Sequence, residues 1–158
     1  MRRTDKEITD EKIIHDIISR SAICRLGLVQ DGAVYVVPVN YAYEDGFIYI
    51  HSASEGKKID IIRRNPQVSF EIEYFGEIVK GEIACMWGMK YRSVMGTGTI
   101  AFIVDHDSKK GGLNLLMKKY SGGGKPDYDP AALEKVLLLK LRIESMTGKQ
   151  SGEWDKEG

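Results

Sequence analysis

The apolar positions of this chain change period several times, and each change predicts an element. In "TDEKIIHDIISR" (9–20), Ile13, Ile14, Ile17 and Ile18 recur at helical spacing, with Thr9 or Asp10 placed to cap the first turn. "SAICRLGLV" (21–29) reads as a strand closed by the turn Gln30-Asp31-Gly32. "AVYVVPVNYAY" (33–43), rich in Val and Tyr, predicts one strand, which "EDG" (44–46) returns into "FIYIHSA" (47–53). A short helix over 56–64 ends ahead of Pro66, whose ring restricts the preceding residue. "QVSFEIEYF" (67–75) alternates as a strand, 76–90 reads as irregular, and "YRSVMGTGTIAFIV" (91–104) predicts a long strand. "DSKKGGLNLLMKKY" (107–120) predicts a helix despite Gly111 and Gly112. A loop, one helical turn in "AALEKV" after Pro130 and a last strand "LLLKLRIE" (137–144) complete the chain. About six strands joined mostly by short turns, with one or two helices over them, predict a small antiparallel barrel with helical caps.

The second hairpin predicts side-chain directions. A two-residue type I′ turn at Asp45-Gly46 pairs Glu44 with Phe47 and, counting outward, sets Asn40 opposite His51. Alternation then puts Pro38, Asn40, Ala42, Tyr49, His51 and Ala53 on an outer wall. Val37, Val39, Tyr41, Tyr43, Ile48, Ile50 and Ser52 face the core. A solvated Asn–His pair is the plain reading of that wall; a functional pair is the sharper one.

Composition narrows the possibilities. The 158 residues suit one domain, and 23 basic against 23 acidic side chains leave no global field for nucleic acid or a membrane surface. No apolar run reaches membrane-spanning length, and "MRRTDKEITDEK" lacks the apolar stretch of a signal peptide, so a cytoplasmic protein is expected. Cys24 and Cys85 lack zinc spacing, and Cys24 reads as a core thiol. "DHD" (105–107) lies on a turn where ligands do not converge, so no metal is expected. The tail "SGEWDKEG" reads as disordered apart from Trp154, which asks for somewhere to dock.

Four cations crowd into 57–64. Ile59, Ile61 and Ile62 define that helix's apolar arc; Lys57 and Arg64 fall outside it and Lys58 inside. A helix start preceded by glycine and carrying two lysines can hold phosphate; a solvated basic helix end is the bland alternative.

These segments together resemble a known family. "VPVNYAYEDGFIYIHSASEGKKIDIIRRNPQVSFEI", "YRSVMGTGTI" and "IESMTGK" resemble the pyridoxamine 5′-phosphate oxidase-like, FMN-binding split barrels, nearest to the 5-nitroimidazole-resistance (Nim-like) branch. The resemblance runs from about Ile13 to Lys149 and implies a single split-barrel domain over 1–158 with polar termini. It implies a homodimer with FMN at the subunit interface. The flavin ring would lie along Pro38, Val39, Asn40 and Tyr41 and abut His51, Ser52 and Ala53. Its phosphate would meet Lys57 and Lys58, and the partner subunit would supply the residues matching Arg92, Ser93, Val94 and Met95. The implied activity is reduction of a small acceptor, such as a nitroimidazole-type compound, with NADH or NADPH as donor. His51 is the candidate catalytic donor to the acceptor, because its ordinary pKa lies near neutrality. Cys85, Met86, Trp87 and Met89 would cover a flavin or pack a dimer. The basic substrate-phosphate set of a true pyridoxamine 5′-phosphate oxidase is missing. A non-enzymatic flavin carrier and a haem-binding or haem-degrading split barrel are the alternatives.

Overall fold

The computed structural model describes residues 3–124 and 126–154. In chain order the elements are β1 (Glu7–Ile8), α1 (Glu11–Arg20), β2 (Cys24–Gln30), β3 (Ala33–Val39), β4 (Ala42–Glu44), β5 (Phe47–Ala53), α2 (Lys57–Arg64), β6 (Gln67–Val79), β7 (Gly88–Ile103), α3 (His106–Ser121), α4 (Pro130–Lys135) and β8 (Val136–Ser151). The strands form one antiparallel sheet in the order β3-β2-β6-β7-β8-β5-β4, with β1 pairing on β8. β3 and β4 are thus the two ends of the path, yet only Asn40 and Tyr41 separate them in the chain. The sheet curls until its ends meet, and the chain itself bridges the seam. This is the split barrel expected from the sequence.

Local chemistry accounts for most boundaries. Asp10, Asp105 and Asp129 accept backbone N–H bonds at the starts of α1, α3 and α4. Both Asp-Gly turns have positive φ at each position, as type I′ requires (Asp31 52°, Gly32 78°; Asp45 49°, Gly46 81°). The core is built from inward residues of the strands, among them Leu26, Leu28, Val39, Ile48, Ile50, Ile72, Val94, Leu139 and Leu141. Ile14, Ile17 and Ile18 of α1 and Ile59, Ile61 and Ile62 of α2 pack against it. A second cluster, Ala42, Leu116 and Leu138 with Tyr49 beside them, lies beneath α3.

Five expectations are corrected. The strand read over 33–43 is broken at Asn40–Tyr41, because its first half pairs with β2 and its second half with β5. The β4–β5 ladder ends at Ala42↔Tyr49, so Asn40 has no ladder partner among the described residues, and beyond Tyr49 β5 keeps only its pairing with β8, which runs from Phe47 to Ala53. Ala42, assigned to the outer wall, is buried under α3. The segment 76–90 is largely regular: β6 runs on to Val79 through an irregularity after Phe75, a single 3₁₀ turn occupies Ala84–Met86, and β7 begins at Gly88. The last strand is twice the expected length, because β8 pairs with β7 from Leu138 to Ser151 across a bulge at Thr97/Gly98. Gly96 and Gly98 explain themselves there: a Cβ on either would collide with a β8 carbonyl, Ser145 or Arg142. The expectation for the tail beyond Trp154 lies outside the described residues.

Candidate functional site

The expected site residues fall on β3, the Asn40–Tyr41 seam, β5, the start of α2 and β7. β5 turns Tyr49, His51 and Ala53 outward and Ile48, Ile50 and Ser52 inward, as the hairpin count requires. His51 is exposed, and among the described residues its ring makes no hydrogen bond. Pro38 and Asn40 are exposed, whereas Val39 faces the core. Tyr41 is fully buried and firmly held. Its hydroxyl donates to the Ile18 carbonyl at 2.6 Å, and its backbone N–H donates to the Tyr120 hydroxyl at 2.9 Å. The Tyr120 hydroxyl in turn donates to the Ala22 carbonyl at 2.6 Å. Lys119 lies 3.4 Å from the centre of the Tyr41 ring and donates to the Ile18 carbonyl at 3.0 Å. Burial lowers the Lys119 amine to about 8 and pushes the Tyr41 hydroxyl well above its ordinary value.

The cations follow directly. β5 ends at Ala53, and α2 begins at Lys57 after Gly56, whose φ of 116° only glycine adopts readily. Among the described residues no side chain caps the start of α2. Lys57 is exposed and crosses the Tyr35 ring at 4.6 Å. Lys58 is half-buried, inside the apolar arc as read, and burial lowers its pKa. Arg63 reaches back to the Ser54 carbonyl at 3.3 Å and so braces the turn ahead of the helix.

The expected residues of β7 are separated from this seam within one chain. Val94 is core, Ser93 is buried, and Met95 is half-exposed. Arg92 is only 6% exposed; its Nε donates to Gln150 Oε1 at 3.2 Å, and its guanidinium stacks on Trp154 at 4.3 Å. Met95 lines an open groove of about 550 Å³ over the outer face of the sheet, together with Arg25, Val36, Ser69 and Thr97. Arg25 there pairs with Glu71 at 2.9 Å and Glu73 at 3.6 Å. The other two histidines lie in other contacts: His15 meets the Tyr43 hydroxyl at 3.3 Å, and His106 meets Glu134 at 2.6 Å. Among the described residues no three His, Cys, Asp or Glu side chains converge as metal ligands.

Lys119, Tyr120 and the Gln150–Trp154 contacts to Arg92 were not singled out as site residues from the sequence. Tyr120 lies 79 positions from Tyr41, and no local pattern links the two. The lysines of α2 were singled out because they follow β5 directly in the chain.

Comparison with known proteins agrees with the fold. A sequence profile for the family described as pyridoxamine 5′-phosphate oxidase matches residues 10–150. A candidate 5-nitroimidazole antibiotic resistance protein from Bacteroides thetaiotaomicron is 32% identical, covers 91% of this chain and 86% of its own, and superposes with a TM-score of 0.82. A FAD and haem binding protein from Mycobacterium smegmatis is 20% identical with a TM-score of 0.86, over 97% of this chain and 77% of that one. A FAD-binding protein from Mesorhizobium loti is 24% identical with a TM-score of 0.69, over 93% and 98% of the two chains. The last two likenesses speak for the fold. On the profile match and the Bacteroides relative together, the chain belongs to the pyridoxamine 5′-phosphate oxidase family.

Proposed function

We propose that the chain binds a flavin nucleotide, FMN in this reading, along the Asn40–Tyr41 seam and serves as an oxidoreductase. The observation that carries the proposal is the start of α2. Three residues after β5, a helix with no side-chain cap presents its first N–H groups beside Lys57 and the half-buried Lys58. That donor set suits a phosphate ester: free N–H groups, the helix dipole and two lysines belong to the same helical turn, and an anion there would offset the burial of Lys58. The flavin-binding relatives of this fold support the same choice.

The chain's own residues have separable roles. Pro38, Asn40, His51 and Ala53 are exposed and would face the ring. Val39, Tyr41 and Ser52 point inward, so they contribute backbone alone. The Tyr41 N–H is taken by Tyr120, which leaves its carbonyl and the Asn40 side chain for the polar edge of a ring. His51, exposed and without a hydrogen bond among the described residues, is the candidate to hold or release a proton at an acceptor. A bound flavin would supply hydride chemistry, taking electrons from NADH or NADPH and passing them to a small acceptor of the nitroimidazole type. A homodimer, in which the partner's copy of the Arg92–Met95 strand closes the site, and a cytoplasmic location complete the reading. No helix among the described residues is long and apolar enough to cross a membrane.

The absorbance spectrum of the purified protein tests this first. Flavin bands support the reading, and a haem Soret band in their place replaces it with haem binding. Bleaching of those bands by NADH or NADPH under nitrogen then separates an oxidoreductase from a flavin carrier. The His51→Ala variant should retain flavin and its reduction by the nicotinamide donor. Reoxidation by a nitro compound should slow by roughly a hundredfold, the usual loss on removing a general acid. Reoxidation at the wild-type rate in stopped flow assigns His51 a structural role.

A further inference from the structure

We propose that Lys119 is a covalent capture site for small aldehydes, which enter the cavity between α1, β4 and α3 and are held on its Nζ as an iminium. The cavity measures about 320 Å³, within the range of small-ligand pockets, roughly 300–1,000 Å³. Ile18 of α1, Ala42 of β4 and Leu115 of α3 give it an apolar lining, and Lys119 lines it from the end of α3. None of the residues lining it is one proposed for the flavin, so the site does not depend on that reading. Lys119 is half-buried and held but not neutralised. Its Nζ lies 3.4 Å from the centre of the Tyr41 ring and donates to the Ile18 carbonyl at 3.0 Å. Among the described residues no carboxylate stands within ion-pair distance of it. Ser19 and Tyr43 bring hydroxyls to the cavity, Lys118 a second cation and Glu44 the one carboxylate of its lining. Cys24, whose field also reaches Lys119, is kept protonated by burial. Burial lowers the Lys119 amine to about 8, so near neutral pH far more of it is nucleophilic than of an ordinary lysine at about 10.4.

The surroundings of Nζ select the class of electrophile. The neutral amine attacks the aldehyde carbon, the C–O bond breaks, and the oxygen leaves as water with the two amine protons. A C=N bond takes its place, and the imine nitrogen takes up one proton to become an iminium. Taken from the ammonium, the balance is lysine cation plus aldehyde to iminium plus water, with no oxidant or reductant consumed. The product keeps one N–H and the positive charge. It can therefore retain both the bond to the Ile18 carbonyl and the attraction of the Tyr41 ring face. Acylation of the same amine would remove the charge on which both contacts depend. The apolar lining suits an alkyl chain on the aldehyde.

Reductive trapping tests the site on the full wild-type chain as purified. Limiting butyraldehyde at pH 7 with sodium cyanoborohydride, which reduces the iminium and fixes it, leaves a butyl group that tandem mass spectrometry assigns to its lysine. Lys119 should be modified at least tenfold faster than Lys118, its exposed neighbour on the same cavity. The α-amino group, with an ordinary pKa of about 8, supplies the rate of a solvated amine of similar basicity in the same sample. Two variants then ask whether the cavity is used. Ser19→Trp, at an exposed position of its lining, and Leu115→Trp each add bulk to it and should reduce Lys119 labelling severalfold relative to Lys118. Labelling of Lys119 no faster than Lys118 in the wild type overturns the proposal. So does an undiminished preference for Lys119 in both variants, which would show that the aldehyde does not pass through the cavity. Should Leu115→Trp fail to fold, Ser19→Trp alone decides the second point.

Discussion

Tyr120 holds the seam with one oxygen, accepting from the Tyr41 N–H and donating to the Ala22 carbonyl. Tyr120→Phe keeps the ring and removes both bonds. Each backbone group left without a partner costs about 1–3 kcal/mol if water cannot reach it. Tyr120 is 40% exposed, so water reaches part of the gap and the lower end of that range is expected in a urea titration. Flavin affinity should fall with it, because the Asn40–Tyr41 backbone loses its brace. Cys24 makes a pH prediction. It is fully enclosed in the core, and burial, helped by the nearby Glu71, pushes its thiol up to about 12. Above about pH 9 the unfolded thiol ionises while the native thiol keeps its proton, so the native state binds more protons and stability falls as pH rises. The slope approaches about 1.4 kcal/mol per pH unit from this one group until the native thiol titrates. Cys24→Ala should lose that component of the slope between pH 9 and 11, measured as the difference from wild type. Equal slopes would mean that the thiol is not buried as described.

At the level of elements, α3 shows why two adjacent glycines differ. Nothing stands within 4 Å of a Cβ at Gly111, whereas one at Gly112 would strike the buried Leu138 side chain and press the Tyr49 ring. Gly111→Ala should stabilise by roughly 0.5–1 kcal/mol through helix propensity alone. Gly112→Ala gains the same term and adds an overpacking cost of about 1–3 kcal/mol. The two variants should therefore differ by about that cost in thermal or urea unfolding, and identical stabilities would place α3 further from the sheet. The start of α2 carries the matching functional test. Lys57→Ala with Lys58→Ala should leave the fold intact, since neither lysine makes an ion pair among the described residues. Flavin affinity should fall at least tenfold, on the order of 1.5–3 kcal/mol per charged contact. An unchanged flavin titration removes both lysines from the site.

For the whole molecule, the proposed site is divided: Lys57, Lys58 and His51 lie at the seam, and the Arg92–Met95 strand lies elsewhere on the same chain. If two chains share a site, light scattering of the flavin-loaded protein should give about twice the chain mass of 17.8 kDa. A monomer that still holds flavin would remove Arg92, Ser93, Val94 and Met95 from it. What the sequence determined by itself is local. The isoleucine period of α1 and α2, the Asp-Gly turns and the alternation of β5 are set by backbone sterics and by the side chains next to them, so they were legible, and with them His51 facing out and Lys58 facing in. The family resemblance extended that reading to the fold. The tertiary structure alone decided where β3 gives way to β4, because Asn40 and Tyr41 are extended enough for either strand and the break is set by which neighbours claim each half. It alone decided that β6 and β7 continue through 76–90, because ladder pairing there depends on a partner strand rather than on alternation. It alone brought Tyr120 to Tyr41 and Trp154 to Arg92, contacts made across 79 and 62 positions of chain by the closing of the barrel. No periodicity encodes such meetings; they follow from the volume and hydrogen-bond demands of groups that become neighbours when the sheet curls onto itself.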